Sequence, residues 1–282
     1  MNENTKMTTT RVPVGEYEFL LNETGDPSSP AILFLHGSGP GATGESNWRA
    51  VIEDLGDTYH CLAPDVIGFG DSTHPEPPPQ GIVPFTTLRT DTLLGLLDTL
   101  GIEQAHFVGN SMGGILSLDL VRKAPERVAS IVLMGSGGAP LPPGPALGSL
   151  IGFYQDPTTA AMTRLLEDFV YAPEDFGSQL AEVAEARLPR AVRADVQRSH
   201  AATFDLSTPW VISDEELAAI AQDVLIIHGR EDKMVVFEAG LWFFERIPNS
   251  RLYGIGKCGH WTQIEQHDRF VAALRGFITG HL

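Results

Sequence analysis

Cysteine is nearly absent. Cys61 and Cys258 are the two in 282 residues, which excludes a disulfide framework and a C-x-x-C metal site. Positive charge is scarce: 19 Lys and Arg stand against 36 Asp and Glu, a net charge of −17. Such a balance argues against a nucleic-acid partner. An anionic ligand would need a local Arg or Lys to overcome that field. Long apolar runs are missing too. The polar start, Met1 to Lys6, has no apolar segment behind it that would read as a signal peptide. Ala31 to Leu35, the longest apolar run near it, is far too short to span a bilayer. The expectation is a cytoplasmic protein without a membrane partner. No H-x-x-x-H or comparable carboxylate cluster occurs, so no metal is expected. Internal repeats are absent. With 43% hydrophobic and 20% charged residues, the chain can bury a sizeable core.

What is present is organised around Ala105 to Gly114. A short apolar run leads into Gly109-Asn110-Ser111-Met112-Gly113, a G-x-S-x-G sequence, and a helical pattern follows to Ala124-Pro125. Strand, glycine-flanked serine and helix together are the context of a nucleophile elbow. The turn is so sharp that its neighbours must lack bulk. The serine oxygen then stands at a helix N-terminus, where free N–H groups favour negative charge.

The rest of the chain alternates strands and helices. Glu16 to Asn22 reads as an edge strand. Ala31 to His36, Tyr59 to Pro64, Ala129 to Met134, Asp223 to His228 and Arg251 to Ile255 read as further strands. Their continuous apolar character suits a parallel sheet buried on both faces. Helices are expected over Asn47 to Leu55, Phe85 to Leu100, Val236 to Arg246, and from Trp261 to Leu282. Pro75 to Pro84 must be irregular. From Gly135 the composition shifts to a Gly/Pro-rich linker. Then a helical pattern runs from Leu150 to Leu217, cut by Asp156-Pro157, Ala172-Pro173, Leu188-Pro189 and Thr208-Pro209. The expected fold is α/β: a doubly wound, mostly parallel sheet with a helical lid inserted between two strands. The core is 1–138 and 218–282, and the lid is 139–217. Such a lid should lie over the strand C-termini, where these sheets bind ligands.

A serine nucleophile needs a base, and the base an orienting acid. In this fold the order is Ser, then Asp or Glu, then His. The loop after the Asp223 strand carries Gly229-Arg230-Glu231-Asp232, and the loop after the Arg251 strand carries Gly256-Lys257-Cys258-Gly259-His260. The expected set is Ser111, Asp232 and His260, with Glu231 the rival acid. Oxyanion donors should be the backbone N–H of Met112 and one from the loop after His36-Gly37, Ser38 before Gly39. His36 itself reads as structural, hydrogen-bonding that loop.

These residues resemble the α/β-hydrolase superfamily and, within it, the meta-cleavage-product hydrolases. The resemblance rests on His36-Gly37-Ser38-Gly39-Pro40-Gly41-Ala42, Ser46-Asn47-Trp48, Ala63-Pro64-Asp65, Gly68-Phe69-Gly70, Gly109 to Gly114, Gly229 to Asp232 and Cys258-Gly259-His260-Trp261. The family commonly has Gly where Ser38 stands. Its members hydrolyse a carbon–carbon bond in 2-hydroxy-6-oxo-dienoates. The resemblance implies a lid arginine and Trp261 around the dienoate carboxylate. Arg187 matches the lid segment, with Arg190 as alternate. A planar guanidinium suits a carboxylate bidentately. Asn47, Asn110 and Gly39 are implied as further substrate contacts, no cofactor is implied, and an even homo-oligomer is expected.

The reaction so implied begins with protonation of the dienoate chain, His260 carrying the proton. Attack at the remote ketone follows, by Ser111 or by a water it helps activate. Rival readings are a carboxylesterase or lactonase on the same triad, and a non-catalytic ligand receptor. A haloalkane dehalogenase is disfavoured, because that chemistry uses aspartate where Ser111 stands. Phe153, Met162, Leu165, Phe169, Trp210, Val235 and Trp242 are apolar candidates to line the pocket under the insertion.

Overall fold

A computed structural model describes residues 6–282. Residues 1–5, part of the polar start on which the leader was judged, lie outside them. Among the described residues, no helix is long and apolar enough to cross a membrane.

The strands are β1 (Thr8–Val14), β2 (Tyr17–Thr24), β3 (Ala31–Leu35), β4 (His60–Pro64), β5 (Ala105–Asn110), β6 (Val128–Met134), β7 (Asp223–Gly229) and β8 (Ser250–Ile255). They form one sheet in the order β1-β2-β4-β3-β5-β6-β7-β8. β1–β2 and β2–β4 pair antiparallel, and every later pair is parallel. The helices of the sheet layers are α1 (Gly44–Leu55), α2 (Ile82–Thr99) and α3 (Met112–Lys123). Between β6 and β7 come five short ones: α4 (Leu147–Ile151), α5 (Thr159–Phe169), α6 (Gln179–Ala191), α7 (Ala194–Thr203) and α8 (Asp214–Ala218). α9 (Glu238–Phe244), α10 (Thr262–Glu265) and α11 (His267–Ile278) complete the chain.

Period-two alternation explains why the central strands are apolar throughout. Leu33, Leu35, Phe107, Ile131 and Ile226 face one core with α2, α3 and Phe243 of α9. Ile32, Phe34, Val108, Val132 and Leu225 face the other, with Trp48 and Ile52 of α1 and Phe270 and Leu274 of α11. The inserted helices have a third core of their own, which Trp261 and Met234 join from the sheet side.

Three details depart from the sequence reading. The edge strand is β1 rather than the segment at Glu16, which belongs to β2. β1 carries three threonines, Arg11 and Pro13 and is exposed along most of its length, so it lacks an apolar signature. A proline is tolerated at such an edge. Pro189 does not end a helix: α6 runs through it and stops two residues later. Its missing N–H forfeits one backbone hydrogen bond, and the helix ends soon after. The final helical stretch is broken at Gln266, between α10 and α11.

Buried histidines make the fold acid-sensitive. His200 of α7 is packed between the rings of Tyr154 and Phe204 at 4.8 and 4.6 Å. Burial lowers its pKa from 6.5 to about 4. A folded-state pKa below the unfolded one gives stability that is present above pH 6.5 and lost as pH falls toward 4. Each unit is worth about 1.4 kcal/mol per group. His200→Phe is expected to flatten the fall in stability between pH 6.5 and 4, measured by urea unfolding. An unchanged slope would remove His200 as a source.

Candidate active site

β5 ends on Asn110, and Ser111 turns the chain into α3 with φ 55° and ψ −111°. The crowding there explains the glycines. A Cβ at Gly113 would stand 2.1 Å from the Leu35 carbonyl oxygen, and one at Gly109 would stand 2.2 Å from that of Gly113. Either contact is impossible without moving backbone. The Ser111 carbonyl accepts from the N–H groups of Gly114 and Gly137, so the turn is tied to the chain leaving β6. Ser111 Oγ makes no hydrogen bond among the described residues, and neither do the backbone N–H groups of Met112 and Ser38. Ser38, Ser111 and Met112 line one cavity together.

The loops after β7 and β8 bring an acid and a base together. His260 Nδ1 is 2.7 Å from Asp232 Oδ2. Asp232 is buried and also accepts from the N–H groups of Met234 and Val235 at 2.7 and 2.9 Å. His228 Nε2 lies 3.4 Å from the same carboxylate. Burial alone would push the Asp232 pKa up, but the His260 charge and the hydrogen bonds from His228 and His260 hold it far below the ordinary carboxylate range. Glu231, the rival acid, points elsewhere: it pairs with Arg230 at 2.8 Å and accepts from the Cys258 N–H. His260 and Ser111 line one small cavity, although no hydrogen bond closes between them.

That small cavity also gathers Ser38, Gly39, Asn47, Asn110, Arg187 and Trp261. Arg187 comes from α6 and is 7% exposed. Its Nε donates to the Pro40 carbonyl at 2.5 Å. Among the described residues no carboxylate pairs with it. Burial lowers its pKa from 12.5 to about 10, so it stays charged at neutral pH. A Cβ at Gly39 would meet Arg187 Nη2 at 2.6 Å, so the glycine loop leaves room for the guanidinium. Arg190, the alternate, is held instead by Asp71 at 3.2 Å, and Arg193 joins the same carboxylate. Asn47 Nδ2 donates to the Thr43 carbonyl and Asn110 Nδ2 to that of Met134. His36 bridges loops as expected. Its Nδ1 lies 2.8 Å from the Gly37 carbonyl, and its Nε2 accepts from the Val66 N–H. Burial lowers its pKa to about 4, keeping it neutral.

Of the apolar candidates, Trp210 and Val235 line the larger cavity and Phe169 the small one. Phe153, Met162 and Leu165 pack instead inside the inserted helices. Trp242 packs on Arg246 and Phe243. Helical spacing marked them as buried but could not tell a core from a cavity wall.

The sequence reading missed a clasp between the inserted helices and the His260 loop. The Phe169 carbonyl accepts from the N–H groups of His260 and Trp261 at 2.8 and 3.2 Å. The Phe169 ring stacks on Trp261 at 4.6 Å and 13°. Glu265 closes the clasp, accepting from Gly259 N–H at 2.8 Å and Tyr171 N–H at 2.7 Å. Burial raises its pKa. The signal was a glutamate five residues after His260, one turn into the following helix. Arg89 was missed as well. It is fully buried under the elbow, its Nη2 donating to Thr203 Oγ1 and its guanidinium 3.7 Å over Phe85.

Known proteins resemble this chain in sequence and in fold. Residues 30–266 match the family described as alpha/beta hydrolase fold. A 2-hydroxymuconate semialdehyde hydrolase of Pseudomonas sp. (strain CF600) is 36% identical over 252 residues, 88% of this chain and 86% of the relative. A 2-hydroxy-6-oxo-2,4-heptadienoate hydrolase of Pseudomonas putida is 34% identical over 95% of both chains. Among solved structures, a 2-hydroxy-6-oxo-6-phenylhexa-2,4-dienoate hydrolase from Rhodococcus sp. strain RHA1 superposes with a TM-score of 0.93 at 38% identity, covering 97% of this chain and 99% of its own.

The clasp generates a test. Glu265→Gln leaves one of the two backbone N–H groups facing an amide N–H. It is expected to lower stability by about 1–3 kcal/mol and to reduce kcat more than it raises KM. Urea unfolding and turnover assays check this, and a variant with wild-type stability and kcat would show that the clasp does not hold the loop.

Proposed function

The chain belongs to the α/β-hydrolase family and, within it, to the meta-cleavage-product hydrolases, and we propose that Ser111, His260 and Asp232 carry its reaction. The enzyme cleaves a carbon–carbon bond in 2-hydroxy-6-oxo-hexa-2,4-dienoate-type products of aromatic ring fission. Water enters, and 2-hydroxypenta-2,4-dienoate and a carboxylic acid leave.

In this reading the helical segment 139–217 is a lid that delivers Arg187 to the substrate. The dienoate carboxylate lies against Arg187 and Trp261, with Asn47, Asn110 and Gly39 around the chain; the small cavity, about 10 Å³ without substrate, widens to admit it. The remote ketone sits at Ser111. His260 delivers a proton to the carbon chain, giving the keto tautomer whose carbonyl can take up the electron pair of the breaking bond. Asp232 fixes the imidazole tautomer and supports its positive charge. Attack at the ketone develops an oxyanion, which the N–H groups of Ser38 and Met112 receive. Electron flow ends in the substrate's own carbonyl system, so the reaction needs no cofactor.

The observation that carries this reading is Arg187, a buried cation with no acidic partner among the described residues, in one cavity with Ser111 and His260. Burying an unpaired charge costs several kcal/mol, and an anionic substrate would offset that cost. An esterase acting on neutral esters has no use for it.

Ser111→Ala is expected to slow loss of the yellow dienoate absorbance by at least ~10³-fold, as for loss of a nucleophile. Turnover at the wild-type rate would end the assignment. Arg187→Gln is expected to lower kcat/KM for the dienoate by roughly 30-fold or more, the cost of a lost buried charge pair. Hydrolysis of a neutral p-nitrophenyl ester should change far less. Equal losses on both would leave Arg187 a structural residue.

A further inference from the structure

Ser111 stands where two cavities of opposite chemistry meet. Ser38 and Ser111 line both the small cavity that holds Arg187 and a larger one of about 230 Å³. The larger cavity is walled by Ile115 of α3, Leu141, Phe204, Trp210, Met234 and Val235, among others. Among the described residues, no Lys, Arg, His, Asp or Glu side chain lines it. Its hydroxyls away from Ser38 and Ser111 are already used. Thr203 Oγ1 donates to the Ser199 carbonyl at 2.7 Å and accepts from Arg89, while Ser136 Oγ donates to the Gly137 carbonyl at 2.8 Å. Two arginines approach this wall from behind: Arg122 lies 5.8 Å over the Trp210 ring and is paired with Asp119 and Glu216, and Arg89 is sealed behind it. Its Nε is committed to the Ile67 carbonyl, its Nη1 touches Met112 Sδ, and it is fully buried.

We infer that the group on the remote ketone of this enzyme's dienoate is a bulky uncharged hydrocarbon, an aryl ring, and that Leu141 and Trp210 belong to the wall that selects it. The inference rests on the proposed function, because it takes the dienoate chain to lie toward Arg187. With the carboxylate end there and the ketone at Ser111, the remaining substituent enters the larger cavity. A dry apolar cavity of roughly 150 Å³ accommodates benzene, so 230 Å³ holds a phenyl group with room for its attachment. A hydrogen or methyl substituent leaves most of that apolar wall uncovered and forgoes its burial. A carboxyalkyl substituent would carry its charge into a wall with no cation to meet it, at a cost of several kcal/mol. Gly138 shapes the far side: its φ is +104°, and a Cβ there would stand 3.0 Å from the Trp210 ring.

The test uses the full-length enzyme and 2-hydroxy-6-oxo-dienoates bearing hydrogen, methyl, n-propyl, phenyl or 2-carboxyethyl at C6. The expected order of kcat/KM is phenyl first, at least ~10-fold above methyl. The 2-carboxyethyl substrate should fall at least ~10²-fold below n-propyl, its counterpart without the charge. Leu141→Arg, with Leu206→Arg at the exposed rim as a second placement, should raise the carboxyethyl-to-phenyl ratio at least ~10-fold. Turnover with methyl preferred to phenyl, or with carboxyethyl equal to n-propyl, overturns this inference and leaves the proposed function intact. No turnover of any of the five overturns both. An arginine variant that folds and leaves the ratio unchanged overturns the role given to the wall.

Discussion

The site depends on one buried carboxylate. Asp232 sits at the C-terminal end of the sheet, accepts from two backbone N–H groups and pairs with His260, while His228 Nε2 lies 3.4 Å away and 3.0 Å from the Val235 carbonyl. An ionised group in such a place is tolerated only because it is hydrogen-bonded and paired. The same donors fix the β7 loop, and the bond to His260 fixes the β8 loop against it. Two loops far apart in sequence are therefore held by one charge. The inserted helices are tied in at the same point, through the Phe169 carbonyl and the Glu265 carboxylate. Loss of the Asp232 charge would loosen the base, its loop and the cover together.

Charge is distributed with the same economy at the other side of Ser111. The chain is strongly acidic, and most of its arginines are paired at the surface. Arg187 is not. It is held by one backbone carbonyl and by space cleared at Gly39, which leaves the rest of its fork toward the small cavity. A buried guanidinium in an acidic protein is a local reversal of field. The Phe169–Trp261 stack beside it excludes water, which strengthens any charge pair formed there.

How much of this could be read from residues alone follows from how local each signal was. The elbow was legible because its constraint is local: only glycines fit beside Leu35 and Gly113, so a strand, a serine and small neighbours had to appear together. The contact between Asp232 and His260 was legible because each follows an apolar strand at a loop. Arg187 and the polar cavity came from resemblance rather than from spacing. Other features were hidden for physical reasons. Period 3.6 marks a buried face without saying whether it meets another helix or a void, so Phe153 and Trp210 looked alike. Glu265 looked like an ordinary helical carboxylate, because accepting from backbone N–H groups leaves no trace in composition. β1 was missed because an edge strand open to water needs no apolar alternation.

A serine between two unlike cavities bears on how selectivity is divided. On the proposed function, the small cavity would meet what all dienoates share, a carboxylate, with a buried cation. The larger one would meet what distinguishes them, and its wall includes the junction after β6, the α7 end and the β7 loop. Those segments touch neither Asp232 nor Arg187 through a hydrogen bond of their own, apart from Met234 and Val235. Side chains in most of that wall can therefore change without disturbing the charged line. Met234 and Val235 are the exception: their N–H groups hold Asp232 while their side chains help line the apolar cavity. They are the positions at which substrate shape and acid–base geometry are mechanically joined.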